Sequence, residues 1–247
     1  MILKDDAIAL RMYPYGNTSR IVVWLTRTHG KLATLAKGSQ RDRSLFLGQV
    51  DLFYTCEILF YARENRHLHI LKECAPLATR PAFRRDWRAC AVASYAVGLF
   101  DRAMPFGPAP VGFHELLSDS LERLAARTPG PAFLPRLELL LLHELSLAPR
   151  WDVCTQCHAD LRGEAPARLD VAHGALLCEA CATSRRGRTV SPAARQAIRQ
   201  MLTGQLPPSL PERVFREVRA LMGGLLEHHA DLSSTPRDIA FRILAAG

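Results

Sequence analysis

No stretch of this 247-residue chain holds the roughly 18 consecutive apolar residues that a membrane-spanning helix needs. The longest apolar runs are residues 89–100 and, broken by Glu138 and His143, residues 137–147. Asp5 and Asp6 stand where the apolar region of a secretory signal would begin, so a cytoplasmic protein with no membrane partner is expected. The phosphate loop G-x-x-x-x-G-K-[ST], the dinucleotide fingerprint G-x-G-x-x-G and the nucleophile elbow G-x-S-x-G are all missing. Their absence argues against a nucleotide-driven motor and against the common hydrolases. His143-Glu144 opens like the metal motif H-E-x-x-H, but Leu147 takes the second ligand position, and His114-Glu115 fails the same way at Ser118. His228-His229 reads as the polar end of a helix. No internal repeat or low-complexity tail is present.

What is there is the composition of a globular protein, 48% hydrophobic and 23% charged, long enough for one large domain or two smaller ones. The net charge is +8, with arginine supplying 28 of the 32 cations, which favours polyanionic partners. The excess is uneven. Residues 1–80 carry 12 basic and 7 acidic groups, residues 81–150 carry 8 and 7, and residues 151–247 carry 12 and 10.

The first 80 residues read as β-structure. An opening strand over about 2–13 is followed by β-branched and aromatic runs at 20–28, 31–37, 50–61 and 67–74, with Leu52, Tyr54, Cys56, Ile58 and Phe60 alternating. His29-Gly30 and Glu64-Asn65 mark turns. Five strands in this length suit a small closed barrel of the oligonucleotide-binding (OB) type. Past Pro76 the period becomes helical: Trp87, Cys90, Ala91, Ser94 and Tyr95 mark one helix, Phe113, Leu116, Leu117, Leu121 and Leu124 a second, and residues 135–147 a third. Ser191-Pro192, Ser209-x-x-Glu212 and Thr235-x-x-Asp238 are start signals for further helices, and Val214, Val218, Leu221, Met222 and Leu225 form an apolar stripe. The expected organisation is therefore α+β: a five-stranded OB-type barrel over 1–80, then a helical domain over 81–247 with a cysteine module inserted at 151–184.

Cys154-Thr-Gln-Cys157 and Cys178-Glu-Ala-Cys181 form two C-x-x-C pairs with 20 residues between them. Two such pairs complete the four-thiolate tetrahedron that Zn²⁺ favours, and a closed shell has no position for substrate, so the ion is expected to be structural. Residues 168–172 and 175–177 flank a His173-Gly174 turn and predict a short hairpin joining the pairs. His158 and Ala182 follow the second cysteine of each pair, where glycine is favoured for its positive φ. Cys56, Cys74 and Cys90 fall inside strand or helix patterns and read as small buried hydrophobes.

The remaining constellation is basic. Arg20, Arg27, Lys31, Lys37, Arg41 and Arg43 surround the segment GSQRDRS at 38–44, on the strands and loops that bind single strands in OB barrels. Tyr13 and Tyr15 are candidates to stack on bases, whereas Trp24 and Phe46 are assigned to the core. Arg84, Arg85 and Arg88, and Arg185, Arg186 and Arg188, could extend a phosphate track into the helical region, with Arg195 and Arg199 beside the second cluster.

The order of these features, with the opening AIALRMYPYGNTSRIVVWLTRTHGKLATLAKGSQR, the cysteines CTQC and CEAC, and the closing LLEHHADLSSTPRDIAF, resembles the bacterial RecO family of recombination mediators over essentially the whole chain. Asn17 stands where the family pattern has an acidic residue after Tyr-Gly. The resemblance implies a non-enzymatic protein that binds single- and double-stranded DNA and anneals complementary strands. It also implies work with RecR to help load RecA onto DNA coated by single-stranded DNA-binding protein (SSB), in the bacterial cytoplasm at the nucleoid. Two other readings fit the residues alone: a zinc-containing interaction scaffold without a direct DNA role, and a nuclease assembled from scattered carboxylates such as Asp5, Asp6 and Asp51.

Overall fold

The computed structural model describes residues 1–63, 67–127, 129–182, 187–205, 210–230 and 234–245. Five strands, β1 (Ile2–Tyr15), β2 (Ser19–Thr26), β3 (Lys31–Ala36), β4 (Thr55–Tyr61) and β5 (Leu68–Ala78), close into a barrel in the order β1-β2-β3-β5-β4. Closure comes from one parallel pairing, Ala33 with Leu68 and Leu35 with Ile70, while the other pairs are antiparallel. A register shift between Ala9 and Arg11 bends the 14-residue β1, so that its first half pairs with β4 and its second with β2. Alternate side chains fill the interior: Ala7, Ala9, Val22, Trp24, Leu32, Tyr54, Cys56, Ile58 and Phe60 are buried together, with Phe46 packed against them. The indole N–H of Trp24 donates to Thr34 Oγ1 at 2.8 Å, so this buried polar atom is satisfied.

One boundary departs clearly from the sequence reading. The strand expected from residue 50 begins at Thr55, because Phe53 takes φ +68° and its carbonyl accepts from the Arg80 guanidinium, which also donates to Thr55 Oγ1 at 2.9 Å. The alternation nonetheless holds from Tyr54 onward, and Leu52 is exposed. The Glu64-Asn65 turn lies outside the described residues.

The chain divides into two compact units, Met1–Thr128 and Pro129–Gly247, whereas the change of periodicity lies near residue 80. The first unit therefore holds the barrel together with α1 (Ala82–Arg85), α2 (Trp87–Ala103) and α3 (Phe113–Ala126). Two cations account for this. Arg80 links the barrel to Ser118 and Glu122 of α3, and Lys31, only 5% exposed, reaches the C-terminal end of α2. Lys31 Nζ donates to the carbonyls of Asp101 and Met104 and pairs with the Asp101 carboxylate at 2.9 Å. Around it, Gly30 at φ +71° packs so tightly on the Gly107 carbonyl that a Cβ there would collide. The buried residues of α2 are Ala89, Val92, Ala93, Tyr95, Ala96, Val97, Leu99 and Phe100, so of the stripe read from the sequence Tyr95 is buried while Trp87 and Ser94 are exposed. An alanine-rich helix carries overlapping patterns, and tertiary packing selects one.

The second unit comprises α4 (Phe133–Glu144), strands β6 (Ala167–Asp170), β7 (Ala175–Cys178) and β8 (Arg188–Val190) in the order β7-β6-β8, then α5 (Pro192–Leu202), α6 (Glu212–Ala230) and α7 (Ser234–Ala245). Ser191 caps α5 by accepting from the Ala194 amide, as the Ser-Pro signal predicts. Ser209 lies outside the described residues, and Thr235 falls inside α7. The buried Glu138 carboxylate of α4 receives both arms of Arg237 from α7 at 2.7 and 2.8 Å, closing this bundle with a bidentate pair.

Because Lys31 pairs with Asp101 away from water, Lys31→Met takes the donor from two carbonyls and leaves the carboxylate to Arg11, 3.5 Å away. The expected loss is about 3 kcal/mol in urea unfolding; a change below about 0.5 kcal/mol would contradict the strut.

Candidate nucleic-acid interface and metal centre

Between β3 and β4 the chain runs through consecutive tight turns. The Gly38 amide donates to Ser19 Oγ at 3.1 Å, the Gln40 amide to the Thr18 carbonyl at 2.9 Å, and the Arg41 and Ser44 amides to carbonyls three residues back. Gly38 takes φ +65°, with the Arg41 side chain folded over it. This pins residues 38–44 against the β1–β2 turn, on the barrel end that also exposes Tyr13 and Tyr15. Arg20 emerges beside Ala36 at the start of β2. Lys37, Arg41 and Arg43 are exposed and Arg20 half-buried, and among the described residues none of the four has a carboxylate within 4.0 Å.

The other basic candidates fare differently. Lys31 is not part of this surface, for it is buried and fully engaged with Asp101 and Met104. Arg27 is exposed but divided between Glu115 at 3.1 Å and Asp6 at 3.8 Å. Arg84 donates to Asp51 at 2.8 Å and to the Tyr54 hydroxyl, whereas Arg85 and Arg88 are exposed without an ion pair among the described residues. Arg185 and Arg186 lie outside the described residues. Arg188 lays its guanidinium on α6, donating to the Ala220 carbonyl at 2.8 Å. Arg195 is buried and donates to the carbonyls of Val190, Gly163 and Ala165, and Arg199 donates to that of Trp151.

The cysteines converge. The Sγ atoms of Cys154, Cys157, Cys178 and Cys181 all lie within 4.8 Å of one another, and those of Cys157 and Cys178 are 3.7 Å apart. Bonds of about 2.3 Å to a tetrahedral Zn²⁺ put sulfur atoms about 3.8 Å apart, so the four thiolates fit such an ion. The hairpin of β6 and β7 carries the second pair, and Thr155 docks the first pair onto it through the Leu176 backbone at 2.8 and 3.1 Å. Burial would raise the Cys154 thiol, but the amides of Cys157, Cys178 and Gln156 overrule it and bring the pKa to about 6, favouring the thiolate a metal requires. The turn after Cys157 needs a left-handed residue, and His158 supplies it at φ +60°, with its amide donating to the Cys154 carbonyl at 3.0 Å. The missing glycine is thus replaced by a residue that tolerates this region. His229 of α6 meets the Val171 carbonyl at 2.8 Å, so the pair read as a polar helix end steadies the hairpin.

The carboxylates of the nuclease reading point to other tasks. Asp5 accepts from the amides and side chains of Thr28 and His29, Asp6 pairs with Arg27, and Asp51 with Arg84. Among the described residues the four cysteines are the single cluster able to hold a metal ion. Trp87, read as one of the residues marking the first helix, is exposed.

Comparison with known proteins settles the family. The model for the recombination protein O N-terminal domain matches residues 1–80, and that for the C-terminal domain matches residues 84–236. The chain belongs to the RecO family. It is 33% identical over 228 residues to the DNA repair protein RecO of Myxococcus xanthus, covering 91% of each chain. The RecO of Geobacter metallireducens is 32% identical over 228 residues, and that of Anaeromyxobacter sp. strain K 30% over 232, each covering 92% of this chain and 91% of its own. The barrel accordingly corresponds to the RecO N-terminal domain, and the cysteine module falls within the C-terminal match.

His158→Val is expected to cost about 1–2 kcal/mol of second-unit stability, since a β-branched residue resists positive φ, whereas His158→Gly stays within about 1 kcal/mol; equal effects in urea unfolding would mean that the imidazole matters instead. At Asp5, burial would raise the carboxyl, but hydrogen bonds from His29 and Thr28 hold it below its ordinary value. Its stabilising contribution is present above the unfolded carboxyl pKa, about 3.9, and fades as pH falls through the lower folded value. Asp5→Asn should therefore cost about 1–3 kcal/mol at pH 7, with the gap to wild type narrowing on acidification; a constant gap would contradict the assignment.

Proposed function

We propose that this chain acts in DNA repair and recombination as a non-enzymatic mediator that grips the phosphate backbone of single- and double-stranded DNA and anneals complementary strands. The observation that carries this reading is the group Arg20, Lys37, Arg41 and Arg43, cations at one end of the barrel left without acidic partners among the described residues. Each phosphate they neutralise releases a condensed counterion, and bringing two strands together then meets less Coulomb repulsion while the bases stay available to pair. Such chemistry consumes no nucleotide, in keeping with the missing phosphate loop. By family analogy the protein works with RecR and helps RecA displace SSB at the nucleoid. The four thiolates hold a structural Zn²⁺, the ion that a closed sulfur tetrahedron favours, which keeps the hairpin and the first cysteine pair together.

The test is strand annealing by the purified protein without ATP, on bare and SSB-coated strands. With about four phosphates engaged, log K for a single strand should fall with log[salt] at a slope near −3. Lys37→Ala or Arg41→Ala should weaken binding equally for all sequences and flatten the slope by up to about one unit, with stability unchanged. Salt-insensitive binding would sink the reading, and failure to bind any strand would leave the interaction scaffold.

A further inference from the structure

Of the three tryptophans, Trp24 and Trp151 are buried, whereas Trp87 is 67% exposed at the first turn of α2. Its exposed neighbours along the chain at positions 84, 85 and 88 are not apolar, so this is no apolar patch of the kind a folded partner covers. They are cations. Arg84, Arg85 and Arg88 are all exposed, and the Arg88 guanidinium lies 5.7 Å from the Trp87 ring centroid. The nearby acids are already committed: Asp86 caps α2 through the amides of Arg88 and Ala89, Glu122 pairs with Arg80 at 2.9 Å, and Asp51 pairs with Arg84. Arg84 also bonds the Tyr54 hydroxyl, which ties this group to the residue that precedes β4 of the barrel within the same compact unit.

From this juxtaposition we infer that Trp87 is a stacking platform for an unpaired base of a single strand whose flanking phosphates are met by Arg85 and Arg88. The chemistry selects the ligand. A partner must offer closely spaced negative charges and a flat π surface, and an unstacked nucleotide offers both. Duplex DNA presents the same phosphates, but its bases are already stacked on one another, so Trp87 distinguishes the two forms where the arginines do not. The inference rests on the DNA-binding reading above and adds the residue that favours single strands.

The experiment follows indole emission of the full chain while unlabelled oligothymidylate or a duplex of equal length is added, with anisotropy of labelled strands reporting binding independently. Trp24 and Trp151 are shielded, so quenching reports on Trp87. We expect the single strand to quench emission in parallel with binding and the duplex to bind without quenching. Trp87→Ala should weaken single-strand binding roughly 5- to 100-fold with duplex affinity nearly unchanged, and Trp87→Phe should retain most of it. Circular dichroism of these surface variants confirms that they fold. Single-strand binding with unaltered emission, or equal losses for both forms, overturns the inference while leaving the proposed function standing. Absence of any binding overturns both.

Discussion

A cation taken out of water must be surrounded by oxygen atoms, and that constraint decides what each arginine and lysine of this chain does. Lys31 and Arg80 are buried where barrel and helices meet, encircled by backbone carbonyls, hydroxyls and the carboxylates of Asp101 and Glu122. Arg195 does the same between α5 and the cysteine module using carbonyls alone. Each fixes a helix to a β-element, because removing the cation would strand several oxygens without donors. Cations that find no such oxygens stay at the surface, and those at 20, 37, 41 and 43 are the ones the proposed function employs.

The cysteine module is organised around the same economy of backbone groups. The Cys154 sulfur accepts from the Cys178 amide at 3.4 Å, and Thr155 joins the first C-x-x-C pair to the hairpin carrying the second. Leu161, Leu169, Leu176 and Val190 supply a small apolar core beneath. So few buried side chains stabilise little by themselves, and a four-thiolate metal site is the ordinary remedy for a module of this size.

The barrel was legible because its interior is read off a two-residue alternation, and Trp24, Cys56, Ile58 and Phe60 face inward as that pattern requires. The cysteine pairs were legible because their spacing admits few chemistries. Lys31 was not: its partners lie about 70 residues away along the chain, and nothing local separates a buried lysine from a phosphate-binding one. Arg195 hid because two of its carbonyl partners, Gly163 and Ala165, lie in irregular backbone about 30 residues away and the third is in the short β8. Trp87 was hidden by an alanine-rich helix with two overlapping apolar stripes. The three-residue β8 is too short to show any period.

Differential modification of arginine by phenylglyoxal, mapped with and without a saturating single strand, reads residue by residue which guanidinium groups face the phosphates. Arg20, Arg41 and Arg43 should react in the unliganded protein and be protected by the strand. Arg195 and Arg80 should be inert in both states, and Arg216, exposed on the outer face of α6, should react equally in both. Protection confined to the second unit, or reactivity at Arg20, Arg41 and Arg43 that DNA leaves untouched, would contradict this assignment.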